Sequence, residues 1–264
     1  MSQIKIASGD FKYGLYWNAG VVSSFYEKKL NPFLKLSGIS VLMPFFISKY
    51  KRNFFGKMIE FIENTKILNK FVFKDRIYEN LYNQATALLK LNKKKQFEFE
   101  SHTELTKELK AYFGNTKLSD LGDFFLIEAY DIKDNTIYYF QREELFVDAL
   151  VASLSSPPYF KYYEYNDKFL IPSAEISLSP LNIENYDIIT SYECSIKLPK
   201  PRNGAEILLY SFFLRKKELF GIITKDKDVI CPQKVEFSAL NAKTYMYAKR
   251  LADKWISDKL EGNK

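Results

Sequence analysis

Two short stretches carry residues whose types and order suit acyl-transfer chemistry. Gly38-Ile39-Ser40-Val41-Leu42 follows the apolar run from Phe33 to Ser37. A serine at a sharp strand-to-helix turn is held out of the sheet with a helix N-terminus beneath it, which exposes the hydroxyl and favours a developing negative charge. Ser8-Gly9-Asp10-Phe11-Lys12-Tyr13-Gly14 follows Ile4–Ala7 and offers glycine-flanked backbone N–H groups beside a helix. Such a loop can bind an oxyanion or a phosphate. Each stretch alone is a weak signal. Leu42 stands where the full G-x-S-x-G elbow has its second glycine, and only two of the seven loop residues are glycine. A turn with a helix cap is the plainer reading of the serine.

The elements that must position these turns follow from periodicity. Ile4–Ala7 and Phe33–Ser37 read as short buried strands, and Gly14–Lys29 places Leu15, Ala19, Val22 and Phe25 on one helical side. Residues 54–92 alternate charged and apolar positions at helical period. Ser101-His102-Thr103-Glu104 suits a capping box for a helix reaching about Phe113. Phe124–Tyr130 and Thr136–Gln141 are strand-like around a turn, Glu143–Leu154 is helical, and Pro157-Pro158 stops it. Lys168–Ile171 and Asp187–Thr190 are further strands, and a long helix covers about 238–260. Alternation of this kind predicts one α/β layered domain over 1–264 with a mainly parallel sheet. Function then belongs beyond the carboxyl ends of the strands, at the turns after Ala7, Ser37 and Ile171.

Composition narrows the classes. The chain has 264 residues, 47% of them hydrophobic and 27% charged, enough apolar matter for a sizeable core and too much for a disordered chain. No apolar run approaches the roughly 20 residues of a membrane span. MSQIKIASGDF lacks the long apolar stretch of a signal peptide, so a cytoplasmic protein is expected. Cys194 and Cys231 make no disulfide framework, and without a C-x-x-C pair no zinc site is expected. The net charge of +7 is spread among acids. Lys49–Arg52, Lys93–Lys95 and Arg215–Lys217 are its densest places, and without a nucleic-acid motif they read as solvated faces rather than a nucleic-acid surface.

In this order the two turns resemble the opening of the patatin-like phospholipase family, with its S-G-G-G-x-[RK]-G loop, a helix bearing A-G-V, and then G-x-S-x-G. Ser8, Gly9, Gly14, Ala19-Gly20-Val21, Gly38 and Ser40 fall on those positions. Thr116–Leu121 and Phe125–Asp131 are similar to the segment before and within the family's next core strand. Asp148–Phe160 resembles its A-S-x-x-x-P-x-x-F stretch, and Lys168–Glu175 with Ser179-Pro180 takes the place of its D-G-[GA]…N-x-P motif. The resemblance covers about residues 3–192, leaving 193–264 as a helical extension. It implies a three-layer α/β/α sandwich and a Ser–Asp dyad hydrolysing lipid acyl esters. Ser40 would be the nucleophile, Gly9, Asp10, Phe11, Lys12 and Gly14 the oxyanion loop, and Gly38 the elbow glycine. That chemistry calls for neither metal nor cofactor, and it needs no histidine; the sole one, His102, is expected at the surface or in the helix cap.

The departures fall on the functional positions. Asp10 and Phe11 replace loop glycines, and Asp10 sets a carboxylate beside a forming anion. Tyr13 takes the basic position, with Lys12 as its neighbour. Pro172 takes the place of the aspartate and can accept no proton; Asp167 lies on the wrong end of the strand, and Glu175 is a weak candidate base. Losing a general base costs on the order of 10²–10⁴ in rate. The expected function is therefore a patatin-type fold with the hydrolase chemistry lost or impaired, binding a lipid or acyl group, touching a membrane peripherally, or assembling with a protein partner or its own copies. The alternative is an active acyl hydrolase using Ser40 with a non-standard base. Val41–Ile47 reads as a buried helix, and part of the cluster Tyr159, Phe160, Tyr162, Tyr163 and Tyr165 is expected to line a pocket or interface.

Overall fold

The computed structural model describes residues 3–10, 12, 14–74, 81–94, 101–198, 200–233 and 242–261. β1 (Lys5–Ser8), α1 (Gly14–Glu27) and β2 (Phe33–Leu36) come first, followed by a 3-10 turn, Gly38–Leu42, and α2 (Met43–Tyr50). A helical block follows: α3 (Phe54–Asn64), α4 (Lys66–Asn69) with a π turn at Lys70–Lys74, α5 (Leu81–Lys94) and α6 (His102–Phe113). Next come β3 (Phe125–Asp131), β4 (Thr136–Tyr139), α7 (Phe146–Leu154), β5 (Tyr163–Tyr165), β6 (Lys168–Pro172), α8 (Ala174–Ser177) and β7 (Ile188–Thr190). The last elements are α9 (Gly204–Ile223), β8 (Asp228–Ile230) and α10 (Ala242–Ile256), the latter extended by a π turn.

The eight strands among the described residues join one sheet in the order β5-β6-β3-β2-β1-β7-β8, with β4 paired to β3. From β3 to β8 the pairs are parallel; β4, β5 and β6 add antiparallel pairs. Ile6, Ile188 and Ile230 point into the main core, whereas their neighbours Ala7, Ile189 and Val229 point into a second cluster with Phe213, Phe220 and Ile223 of α9. The period-2 alternation of strand side chains thus buries both faces, and helices flank the sheet on each. Trp17 of α1 is buried in the main core and anchors to the sheet edge, its Nε1 donating to the Ile230 carbonyl at 3.1 Å. None of the described helices is long and apolar enough to cross a membrane.

The first strands, α1, the β3–β4 hairpin, β6 and β7 lie where periodicity puts them, and Val41–Ile47 is buried as expected. Other expectations change. The stretch after residue 193 holds α9 and α10 and, besides the expected helices, a short strand: β8 pairs with β7, and α10 packs along α1. The start of the helix expected at 238 lies outside the described residues. α7 begins at Phe146 rather than Glu143 because Glu144 is committed to a turn, its carboxylate accepting from the Gln141 N–H. Of the tyrosine cluster, Tyr159 and Phe160 are fully buried, whereas Tyr162, Tyr163 and Tyr165 are half-buried, Tyr163 donating to Asp148.

Candidate functional site

The carboxyl ends of β1, β2 and β7 converge on Asp10. Chain segments press against it from two sides. A Cβ on Gly14 would lie 2.1 Å from the Asp10 Cβ, and one on Gly38 would lie 2.0 Å from the Asp10 carbonyl oxygen. Gly38 also has φ +63°, the left-handed conformation that glycine adopts without strain. Its neighbour Ile39 donates its N–H to the same Asp10 carbonyl at 3.2 Å. The first loop and the elbow are therefore locked together through backbone, and the left-handed residue of the turn is Gly38 rather than the serine.

The Asp10 side chain is fully buried and accepts four hydrogen bonds. Ser191 Oγ (2.8 Å) and the Glu193 N–H (3.2 Å) donate to Oδ1; the Tyr192 N–H (2.7 Å) and Asn18 Nδ2 (3.1 Å) donate to Oδ2. Burial, followed by the nearby Glu193 carboxylate, pushes its pKa well above the usual carboxylate range, and the donors from 191–193 pull it partly back. The expectation of a carboxylate aimed at a forming anion is thus revised. Asp10 faces the loop after β7, which supplies it with the kind of N–H cradle that otherwise receives anions.

Ser40 sits one residue away in this network. Its Oγ accepts from Ser8 Oγ and from Asn18 Nδ2, both at 3.0 Å, while Thr190 Oγ1 donates to Asn18 Oδ1 at 2.9 Å and fixes the amide. The serine is 1% exposed, not held out as an elbow nucleophile would be. Both lone pairs of its hydroxyl are occupied by donors, and among the described residues no carboxylate or imidazole bonds to it. Asn18 separates it from Asp10, and a carboxamide cannot relay the proton a base must take.

The remaining expected residues lie elsewhere. Gly9 packs on Ser179 and Pro180. Lys12 is buried and donates to the Phe71 carbonyl at 3.4 Å, while Phe11 and Tyr13 lie outside the described residues. Pro172 ends β6 opposite Ala129, and the following Ala174 N–H donates to Ser37 Oγ at 3.2 Å, so this segment does reach the elbow, without a carboxylate. Glu175 is paired with Lys216 and accepts from Ser156 Oγ. His102 is not a surface residue. Its ring stacks on Phe160, and Nε2 lies 2.8 Å from Ser155 Oγ. Since Ser155 gives its own proton to the Val151 carbonyl at 2.6 Å, His102 must donate. Burial, with Lys161 nearby, lowers its pKa to about 4.

Sequence reasoning passed over Asn18 and the loop 191–193. An asparagine inside the apolar face of α1 was the available signal. It also passed over Lys35 and Glu128, which lie in β2 and β3 and form a buried ion pair at 2.9 Å. The Lys35 ammonium also donates to the Asn182 carbonyl at 3.1 Å and lies over the Tyr139 and Tyr186 rings. Burial raises the Glu128 pKa, and Lys35 opposes that shift. Polar letters within FLKL and FLIEAYD were the signal. A separate cleft of about 800 Å³ lies at the opposite, amino ends of the strands, lined by residues including Tyr26, Lys51, Arg52 and Phe124. Among the described residues no cluster of three metal-ligating side chains occurs. In comparisons with known proteins, no family model and no curated sequence matches this chain.

Proposed function

We propose that this is a patatin-type α/β/α sandwich, located in the cytoplasm, whose acyl-hydrolase chemistry is lost and which acts by binding a lipid or acyl group or by assembling with a partner. The observation that carries the reading is the state of Ser40: buried, with its hydroxyl accepting from Ser8 and Asn18 and with no base in contact among the described residues. The ordered blocks from Ser8 to Pro180 support the family assignment, and Pro172 at the aspartate position supports the loss. The alternative of an active hydrolase based on Glu175 is disfavoured by that carboxylate's engagement with Lys216 and Ser156. Exposed apolar side chains on α9 support the binding reading: Ile207, Leu208, Phe212, Leu214 and Ile222 are about half exposed or more.

Labelling with a fluorophosphonate serine probe tests the reading, with Ser40→Ala as control. The expected result is no Ser40-dependent labelling. Strong labelling abolished by the substitution overturns the proposal and makes Glu175→Gln the next variant to assay.

A further inference from the structure

The only two cysteines of the chain stand 37 positions apart in sequence, yet the sheet brings them together. β7 and β8 run parallel with Thr190 opposite Ile230, so Ser191 and Cys231 leave neighbouring strands side by side. The loop after β7 then folds Cys194 back, with its N–H donating to Ser191 Oγ at 3.3 Å and its Sγ donating to the Ser191 carbonyl at 3.4 Å. The Cys194 Sγ is 3.6 Å from Ser195 Oγ, and the two thiols, on either side of the Ser191 backbone, are near enough to influence each other electrostatically. Both cysteines are half-buried, which leaves them within reach of a small oxidant.

We propose that Cys194 and Cys231 are a reversible dithiol–disulfide pair, oxidised by hydrogen peroxide, that cross-links β8 to the loop holding Asp10. Cys231 is the attacking sulfur. The adjacent Cys194 thiol and the Lys217 ammonium lower its pKa below the usual thiol range, whereas the Cys194 thiol is pushed up and stays protonated. The Cys231 thiolate attacks one peroxide oxygen; the S–O bond forms, the O–O bond breaks, and the leaving hydroxide takes a proton to become water. Cys194 sulfur then attacks Cys231 sulfur, the S–S bond forms, and the S–O bond breaks. The second hydroxide leaves with the Cys194 proton as water. Two thiols lose two electrons in all, and one peroxide is reduced to two waters.

The consequence reaches the candidate site, because Ser191, Tyr192 and Glu193 all donate to Asp10. A cross-link at Cys194 pins that cradle to the edge strand. The inference is independent of how Ser40 is read.

The test treats the reduced full chain with stoichiometric hydrogen peroxide and maps peptides without reduction. A Cys194–Cys231 peptide within a monomeric chain, reversed by dithiothreitol, is expected. In Cys194→Ser, dimedone should trap a sulfenic acid at Cys231; in Cys231→Ser, peroxide consumption at pH 7 should slow by roughly tenfold or more, because the remaining thiol is mostly protonated there. Dimedone trapping on the wild-type chain gives the same information should a variant fold poorly. Separate alkylation of both thiols after peroxide treatment, or disulfides only between chains, overturns the proposal.

Discussion

The Asp10 carboxylate and the Ser40 hydroxyl share a single donor, the Asn18 carboxamide, at 3.1 and 3.0 Å. This makes the serine part of a structural network that joins the carboxyl ends of three strands, and it assigns Asp10 the role of its hub. Two of the donors to Asp10 are backbone N–H groups, of Tyr192 and Glu193, which no rotamer change can turn away. Asp10→Asn places an NH₂ group among these donors and leaves at least one of them buried without an acceptor. The expected cost is about 2–3 kcal/mol, read as a lower urea midpoint with unchanged slope. An unchanged midpoint would show that the 191–193 loop is not held by this carboxylate.

The His102 ring supplies a pH dependence. Its pKa falls from 6.5 when exposed to about 4 when folded, so the folded chain keeps the ring neutral while the unfolded chain takes up a proton. The unfolded state binds more protons between those values. Stability is therefore full above about pH 6.5 and is lost as pH falls toward 4. The unfolding free energy from urea titrations should fall between pH 7 and pH 5 by about 2 kcal/mol more in the wild type than in His102→Gln, from 1.36 kcal/mol per pKa unit. Equal losses in the two chains would mean that the imidazole stays solvated.

These two sites show which parts of the structure were legible beforehand. β1, α1, β2 and the β3–β4 hairpin were readable because apolar runs of fitting length stand between turn residues, although their burial is nearly continuous rather than periodic. His102 was misplaced because a capping motif predicts where a helix starts, and Ser101 does cap α6, but not which way the next side chain turns. Here Phe160 arrives from a segment far away in sequence and covers the ring. β5 and β8, three residues each, are too short to show alternation. α9 has apolar residues around most of its circumference, so no stripe marks it as a helix. The elbow motif located Ser40 at the right turn, whereas its exposure depends on Asn18 and Ser8, partners that no local spacing reveals.

The Lys35–Glu128 pair predicts a non-additive response. Lys35→Met leaves a fully buried carboxylate opposite an apolar side chain, with an expected loss of about 3–5 kcal/mol. Glu128→Leu should cost less, because the ammonium keeps the Leu181 and Asn182 carbonyls as acceptors while losing its counter-charge. The double variant removes both charges and should recover most of either loss, although the Leu181 N–H, which donates to Glu128, then needs water. A thermodynamic cycle from urea unfolding measures the coupling. Strict additivity would mean that the two charges do not stabilise each other.

α9 gives the sharpest test of lipid binding. Among its residues only Glu206 and Phe220 are buried, while Ile207, Leu208, Phe212, Leu214 and Ile222 remain open to solvent beside Arg215. α5, which packs against it, adds exposed Leu88 and Leu89 and ends in Lys93 and Lys94. Apolar side chains bordered by cations suit an anionic lipid interface, where burial and charge attraction act together. The wild-type chain should co-sediment with phosphatidylglycerol-containing vesicles and release as salt is raised. Phe212→Glu combined with Ile222→Glu should weaken this at least tenfold without lowering the urea midpoint, because both side chains already face water. Vesicle binding that survives the double substitution would move the lipid contact away from α9. No vesicle binding by the wild type, together with concentration-dependent self-association lost in the same variant, would identify the face as a protein interface.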